Sequence, residues 1–69
     1  MLAMEVSWII DHGDVERAIH RAALMQERGL PAIPVVGGKG LLPDAKDSAQ
    51  LHRVLVLLDG RIFDKEFLE

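Results

Sequence analysis

The stretch that decides the fold is Leu2-Ala3-Met4-Glu5-Val6-Ser7-Trp8-Ile9-Ile10-Asp11-His12-Gly13-Asp14-Val15-Glu16-Arg17-Ala18-Ile19-His20-Arg21, an apolar strand that runs directly into an amphipathic helix. The strand is expected over residues 3–10. Side chains alternate along a strand, so Ala3, Glu5, Ser7 and Ile9 point one way and Met4, Val6, Trp8 and Ile10 the other. Glu5 is the unusual member. A lone carboxylate in an apolar segment is costly to bury unless it is paired or binds a metal, so Glu5 is the residue whose chemistry needs a reason.

Asp11 or Asp14 can cap the helix by accepting from the free N–H groups at its start. The spacing predicts a helix over residues 14–28, with Val15, Ala18, Ile19, Ala22 and Met25 on one face. Gly29 can take the left-handed conformation that ends it, and Pro31 prevents continuation. A second strand is expected over residues 32–36, where Pro34 lacks an N–H and favours an edge or a bulge. The loop Gly37-Gly38-Lys39-Gly40 follows. A second helix is expected over residues 43–52, with Pro43 in its first turn and Ala45 and Ala49 on a small-residue face that can approach a sheet. Val54-Leu55-Val56-Leu57-Leu58 reads as a strand buried on both faces, with Val56 and Leu57 in the core. Asp59-Gly60 signals a tight turn into a return strand at residues 61–63, and residues 64–69 read as a frayed or briefly helical tail. Strands separated by helices imply parallel pairing through right-handed crossovers. The expected class is α/β: one small domain over residues 1–69, a β-α-β-α-β unit of two or three layers with a mostly parallel sheet and a C-terminal β-hairpin.

A chain of 69 residues removes only about 60% of its unfolded surface from water when it folds alone. Its apolar share of 49% is high for so small a monomer, which leads to the expectation of an apolar face hidden in a homo-oligomer. With no cysteine, no disulfide framework compensates for the small core. The N-terminal apolar run lacks a basic flank, contains Glu5, and is too short to span a bilayer or to act as a signal peptide, so a cytoplasmic protein without membrane contact is expected. A net charge of −3 gives no nucleic-acid footprint.

The succession Glu-Val-Ser in the first strand, Gly-Asp-Val-Glu-Arg-Ala-Ile at the helix start, Ala-Ile-Pro-Val-Val-Gly-Gly, and Val-Leu-Val-Leu-Leu-Asp-Gly-Arg resembles the C-terminal half of PD-(D/E)XK nuclease-like proteins of uncharacterised prokaryotic type. The resemblance covers residues 3–63 and implies a restriction-endonuclease-like half fold. In that superfamily an Asp on one strand and the Glu of a Glu-x-Lys pair on the next hold one or two Mg²⁺ ions, and the Lys positions or activates the attacking water. Glu5 matches the Glu, which makes it the candidate catalytic and metal-binding residue. Ser7 stands where the Lys belongs, and the chain begins too late to hold the elements that supply the Asp. A basic residue of the following helix sometimes replaces the strand Lys, a role open to Arg17, His20 or Arg21. Mg²⁺ is held by one or two carboxylates together with phosphate and water, so Glu5 alone makes a weak site. The expectation is a non-catalytic, truncated or degenerate nuclease-like module that acts through self-association or a larger assembly and needs no cofactor. The alternative is a Mg²⁺-dependent nuclease completed by another chain, the one case in which nucleic acid is expected as a partner.

Three further features bear on binding. Gly37-Gly38-Lys39-Gly40 could form an anion nest, but it lacks the spacing of a P-loop, and a turn is the preferred reading. His12, His20 and His52 have no zinc-ligand spacing. Arg17, Arg21, Leu24 and Arg28 share a helix sector opposite Val15 and Ile19. Leu24, and Trp8 on the first strand, are therefore the candidate interface residues, with a protein preferred to nucleic acid as partner because one Trp and two Phe leave few stacking groups.

Overall fold

Asp11 closes the opening strand region and starts the first helix. In the computed structural model, which describes residues 1–63, its carboxylate accepts from the Asp14 backbone N–H at 2.9 Å, and the Asp14 carboxylate accepts from the Asp11 N–H at 2.9 Å. This reciprocal capping box satisfies two otherwise free donors, and α1 runs His12–Glu27. Gly29, at φ 79°, ends it, with the Gly29 and Leu30 N–H groups bonding back to the Gln26 and Met25 carbonyls. Val15, Ala18 and Ala22 of the expected apolar face are buried, and Ile19 and Met25 are half-buried.

The strand expected over residues 3–10 is in fact two, β1 at Leu2–Val6 and β2 at Ile9–Ile10. At the break the chain passes directly over Gly38, where an added Cβ would lie 2.3 Å from the Ser7 carbonyl oxygen. The Trp8 carbonyl there accepts from the N–H groups of Lys39 and Gly40 at 2.9 and 3.2 Å. The break at Ser7 and Trp8 interrupts the extended backbone and resets the alternation. Ile10 is fully buried and Ile9 half-exposed, the opposite of what an unbroken strand with Ala3 and Glu5 inward requires.

The remaining elements are β3 (Ile33–Gly38), β4 (Gly40–Leu41), α2 (Pro43–His52), β5 (Leu55–Leu58) and β6 (Arg61–Phe63). β1, β3 and β5 are parallel neighbours and β6 lies antiparallel beside β5, giving the order β1-β3-β5-β6; β2 and β4 form a separate two-residue parallel pair. The hairpin turns on Asp59 and Gly60, both at positive φ (51° and 75°), the backbone that Asp-Gly sequences accommodate. Pro34 sits in β3, a central strand, without breaking it. Ile33 donates to the Met1 carbonyl, so the missing N–H of Pro34 faces the other side, and there β5 pairs only from Val35 onward.

Successive right-handed crossovers that step one way across a sheet leave their helices on one face. Accordingly α1 and α2 pack on each other and on the same side of the sheet, around Ile10, Val15, Ala18, Val36, Ala45, Ala49, Val54 and Val56, with Ala3, Ala22 and Ala32 forming a smaller cluster. The fold is thus a two-layer α/β unit across the described residues. No described element covers the opposite face of the sheet. That side carries Leu2, Met4 and Val6 of β1, Ile33, Val35 and Gly37 of β3, Leu55 and Leu57 of β5, and Ile62 of β6, in cross-strand register; Val35 and Gly37 at its centre are buried, and the exposed members lie around them. The expectation of a strand buried on both faces at β5 is therefore corrected: Val56 is buried against the helices, whereas Leu55 and Leu57 are half-buried on the uncovered side. The tail expected over residues 64–69 lies outside the described residues.

Candidate functional site

Glu5 points inward beneath α1 with its side chain 16% exposed, and two arginines one helical turn apart reach it. Arg17 Nε is 3.4 Å from Glu5 Oε1, and Arg21 Nη1 is 3.1 Å from Glu5 Oε2. Residues at i and i+4 lie on one face of a helix, so the spacing of Arg17 and Arg21 aims both guanidiniums at one strand position. Arg21 Nη1 directs its hydrogen bond to the Met4 carbonyl, 3.0 Å away. Glu5 Oε2 consequently receives charge but no aimed hydrogen bond, although it is shut off from solvent.

Asp14 is the member that sequence reasoning missed. It reads as a helix cap, and it is one, but its carboxylate is buried and also accepts from Arg17 Nη2. Arg17 therefore bridges two carboxylates, one from the strand and one from the first turn of the helix. Burial works to raise the Asp14 pKa, but the Asp11 backbone N–H, the Arg17 guanidinium and the Ser7 hydroxyl outweigh it and hold the group below its ordinary 3.8. The Arg17 guanidinium is held still more firmly protonated, chiefly by its hydrogen bond to Asp14. The signal in the sequence was the i, i+3 pair Asp14–Arg17, placed so that its acidic member also lies where the helix dipole favours a negative charge.

Two carboxylates and two guanidiniums make a cluster of zero formal charge. An Arg stays charged under all ordinary conditions and has no acceptor, so it cannot take a proton from water, nor act as a Lewis acid on a phosphate. Its position between Glu5 and Asp14 is the one a divalent cation would need in order to use both carboxylates. Among the described residues no group of three or more His, Asp or Glu side chains converges as a metal site.

The other candidates separate. His20 is exposed and has no hydrogen bond or ion pair among the described residues, so of the three proposed substitutes for the missing Lys only Arg17 and Arg21 reach Glu5. Ser7 donates to the Ile9 carbonyl at 3.1 Å, and His12 pairs with Glu16 at 2.8 Å, one helical turn on. The Gly37–Gly40 loop is no anion nest, because the Lys39 and Gly40 N–H groups are used by the Trp8 carbonyl. Trp8 is 72% exposed, with Lys39 Nζ 5.1 Å from its ring centroid. Leu24 is exposed, and with Arg21, Met25, Arg28 and Leu30 it lines an open cavity of about 310 Å³. Of the three arginines expected to frame Leu24, Arg21 and Arg28 line the cavity with it and Arg17 does not. No helix among the described residues is long and apolar enough to cross a membrane. No family model, curated protein or solved structure matches the chain.

Proposed function

We propose that this chain is a non-catalytic, degenerate nuclease-like module that works by self-association or within a larger assembly. The observation that carries this reading is the engagement of Glu5 by both Arg17 and Arg21. A carboxylate that serves as a metal ligand must offer its lone pairs to the ion, and here the second carboxylate within reach, Asp14, is tied to the same Arg17. With Ser7 in place of a lysine, the strand also lacks a group to position or deprotonate an attacking water. The cluster serves to join α1 to β1. The two arginines keep Glu5 paired at a place where an unpaired charge would be costly.

The second reading, a Mg²⁺-dependent nuclease completed by another chain, draws support from Glu5 Oε2, which is buried without an aimed hydrogen bond. Incubating the purified chain with single- and double-stranded DNA and RNA in Mg²⁺ and in Mn²⁺ separates the two. No cleavage above buffer is expected. Cleavage abolished by Glu5→Ala would overturn the non-catalytic reading.

A further inference from the structure

We infer that the uncovered face of the four-stranded sheet docks against the same face of a second copy of this chain, giving a two-fold assembly with its helices outside and its sheets within. The inference deepens the interaction-module reading, on which it rests, by naming the surface and its occupant. The face is assembled in three cross-strand rows: Leu2 beside Ile33, Met4 beside Val35 and Leu55, and Val6, Gly37, Leu57 and Ile62 together. Every side chain in it is apolar. Leu2, Val6, Ile33 and Ile62 are each more than half exposed, at 57, 70, 51 and 58%. The Met4 side chain reaches across the sheet, its Cε 2.9 Å from where a Cβ on Gly37 would stand, and fills the dip that the glycine leaves.

Area and chemistry select a second copy. A half-exposed aliphatic side chain presents on the order of 100 Å², so the face offers roughly 500–600 Å², the upper end of the largest apolar patch on an ordinary monomer. Two such faces together bury about 1,000–1,200 Å², the lower limit for a specific interface. A two-fold contact must be complementary to itself, which a face without charges satisfies with no like-charge juxtaposition. Sheets packed face to face sit about 10 Å apart with their inner side chains interdigitated. The competing route, pairing through the free edge of β1, is obstructed. Met1 accepts from Ile33, so odd-numbered residues of β1 address β3 and the Met4 carbonyl lies on the outer edge, where Arg21 already donates to it.

Sedimentation equilibrium of the full chain over the micromolar range tests this, with Val6→Lys, Ile62→Lys and the off-face control Leu51→Lys, each checked for folding by circular dichroism. The wild type and the control should give a dimer mass. Each on-face lysine should raise the dissociation constant by about tenfold or more, because it puts a charge into an apolar contact. Ile62 is on the strand farthest from β1, so a dimer that survives Ile62→Lys would mark edge pairing and overturn the inference. A monomer mass at every concentration would do the same. Methyl NMR of the wild type with a soluble paramagnetic agent is independent of folding in the variants. Ile33 and Ile62 methyls should be protected relative to Leu51, and equal bleaching overturns the proposal. Nuclease activity in a dimer would refute the non-catalytic reading while leaving this one standing, and a monomer without activity would do the reverse.

Discussion

Asp14 shows how one residue can serve two neighbours. Its carboxylate accepts from the Asp11 N–H in the capping box and from Arg17. Because its pKa is lowered on folding, the unfolded chain takes up the proton first as the solution is acidified. The sign follows: its stabilising contribution is complete above the ordinary 3.8 and is lost as pH falls through the lower folded-state value. Asp14→Asn should lower stability by about 1–3 kcal/mol at neutral pH, since it weakens hydrogen bonds to a charged acceptor. It should also flatten the fall in stability below that pH. Urea unfolding across the acid range compares the two proteins, and parallel stability curves would contradict the role given to Asp14.

At the level of elements, the crossing between β1 and β2 depends on Gly38. A methyl group there would meet the Ser7 carbonyl oxygen at 2.3 Å and Ile10 Cγ1 at 2.9 Å, and the first of these is backbone, which cannot swing aside. Gly38→Ala should therefore cost about 1–3 kcal/mol, the range for overpacking a close contact. Gly40, two residues on, is the control. An added Cβ there finds nothing closer than 3.6 Å, so Gly40→Ala should stay within about 0.5 kcal/mol of the wild type. Denaturant midpoints that shift equally for the two substitutions would show that the crossing can move.

For the whole molecule, the core is built of small side chains. Its largest fully buried members on the helix side are Ile10, Val15 and Val36, and the single Trp is on the surface. A chain of 69 residues with so modest a core gains from covering its second sheet face. If the two copies unfold as they separate, each tenfold rise in protein concentration should lift the thermal midpoint by on the order of 5 °C. Scanning calorimetry at several concentrations measures this directly, and a midpoint independent of concentration would exclude a dimer whose folding and association are coupled.

Local signals were enough for the elements themselves. An acidic cap, the apolar spacing from Val15 to Met25, Gly29, Pro43, and the Asp59-Gly60 turn each act through backbone conformation or hydrogen bonds within a few residues; α2 and the hairpin lie where those signals place them, while α1 starts at His12 rather than at residue 14 because Asp11 and not Asp14 is its N-cap. Glu5 was legible as the residue in need of a partner, because the cost of an isolated buried charge does not depend on the fold. Its partners were not. Arg17 and Arg21 reach Glu5 only once α1 lies across β1, and the split of residues 3–10 into two strands arises only when Gly38 brings a distant segment beneath Ser7. The apolar run of β5 likewise states that both of its faces are apolar without saying which one the helices cover. That choice belongs to the hand of the crossovers, which puts α1 and α2 on the Val36 and Val56 side and leaves the face of Leu2, Val6, Ile33 and Ile62 open.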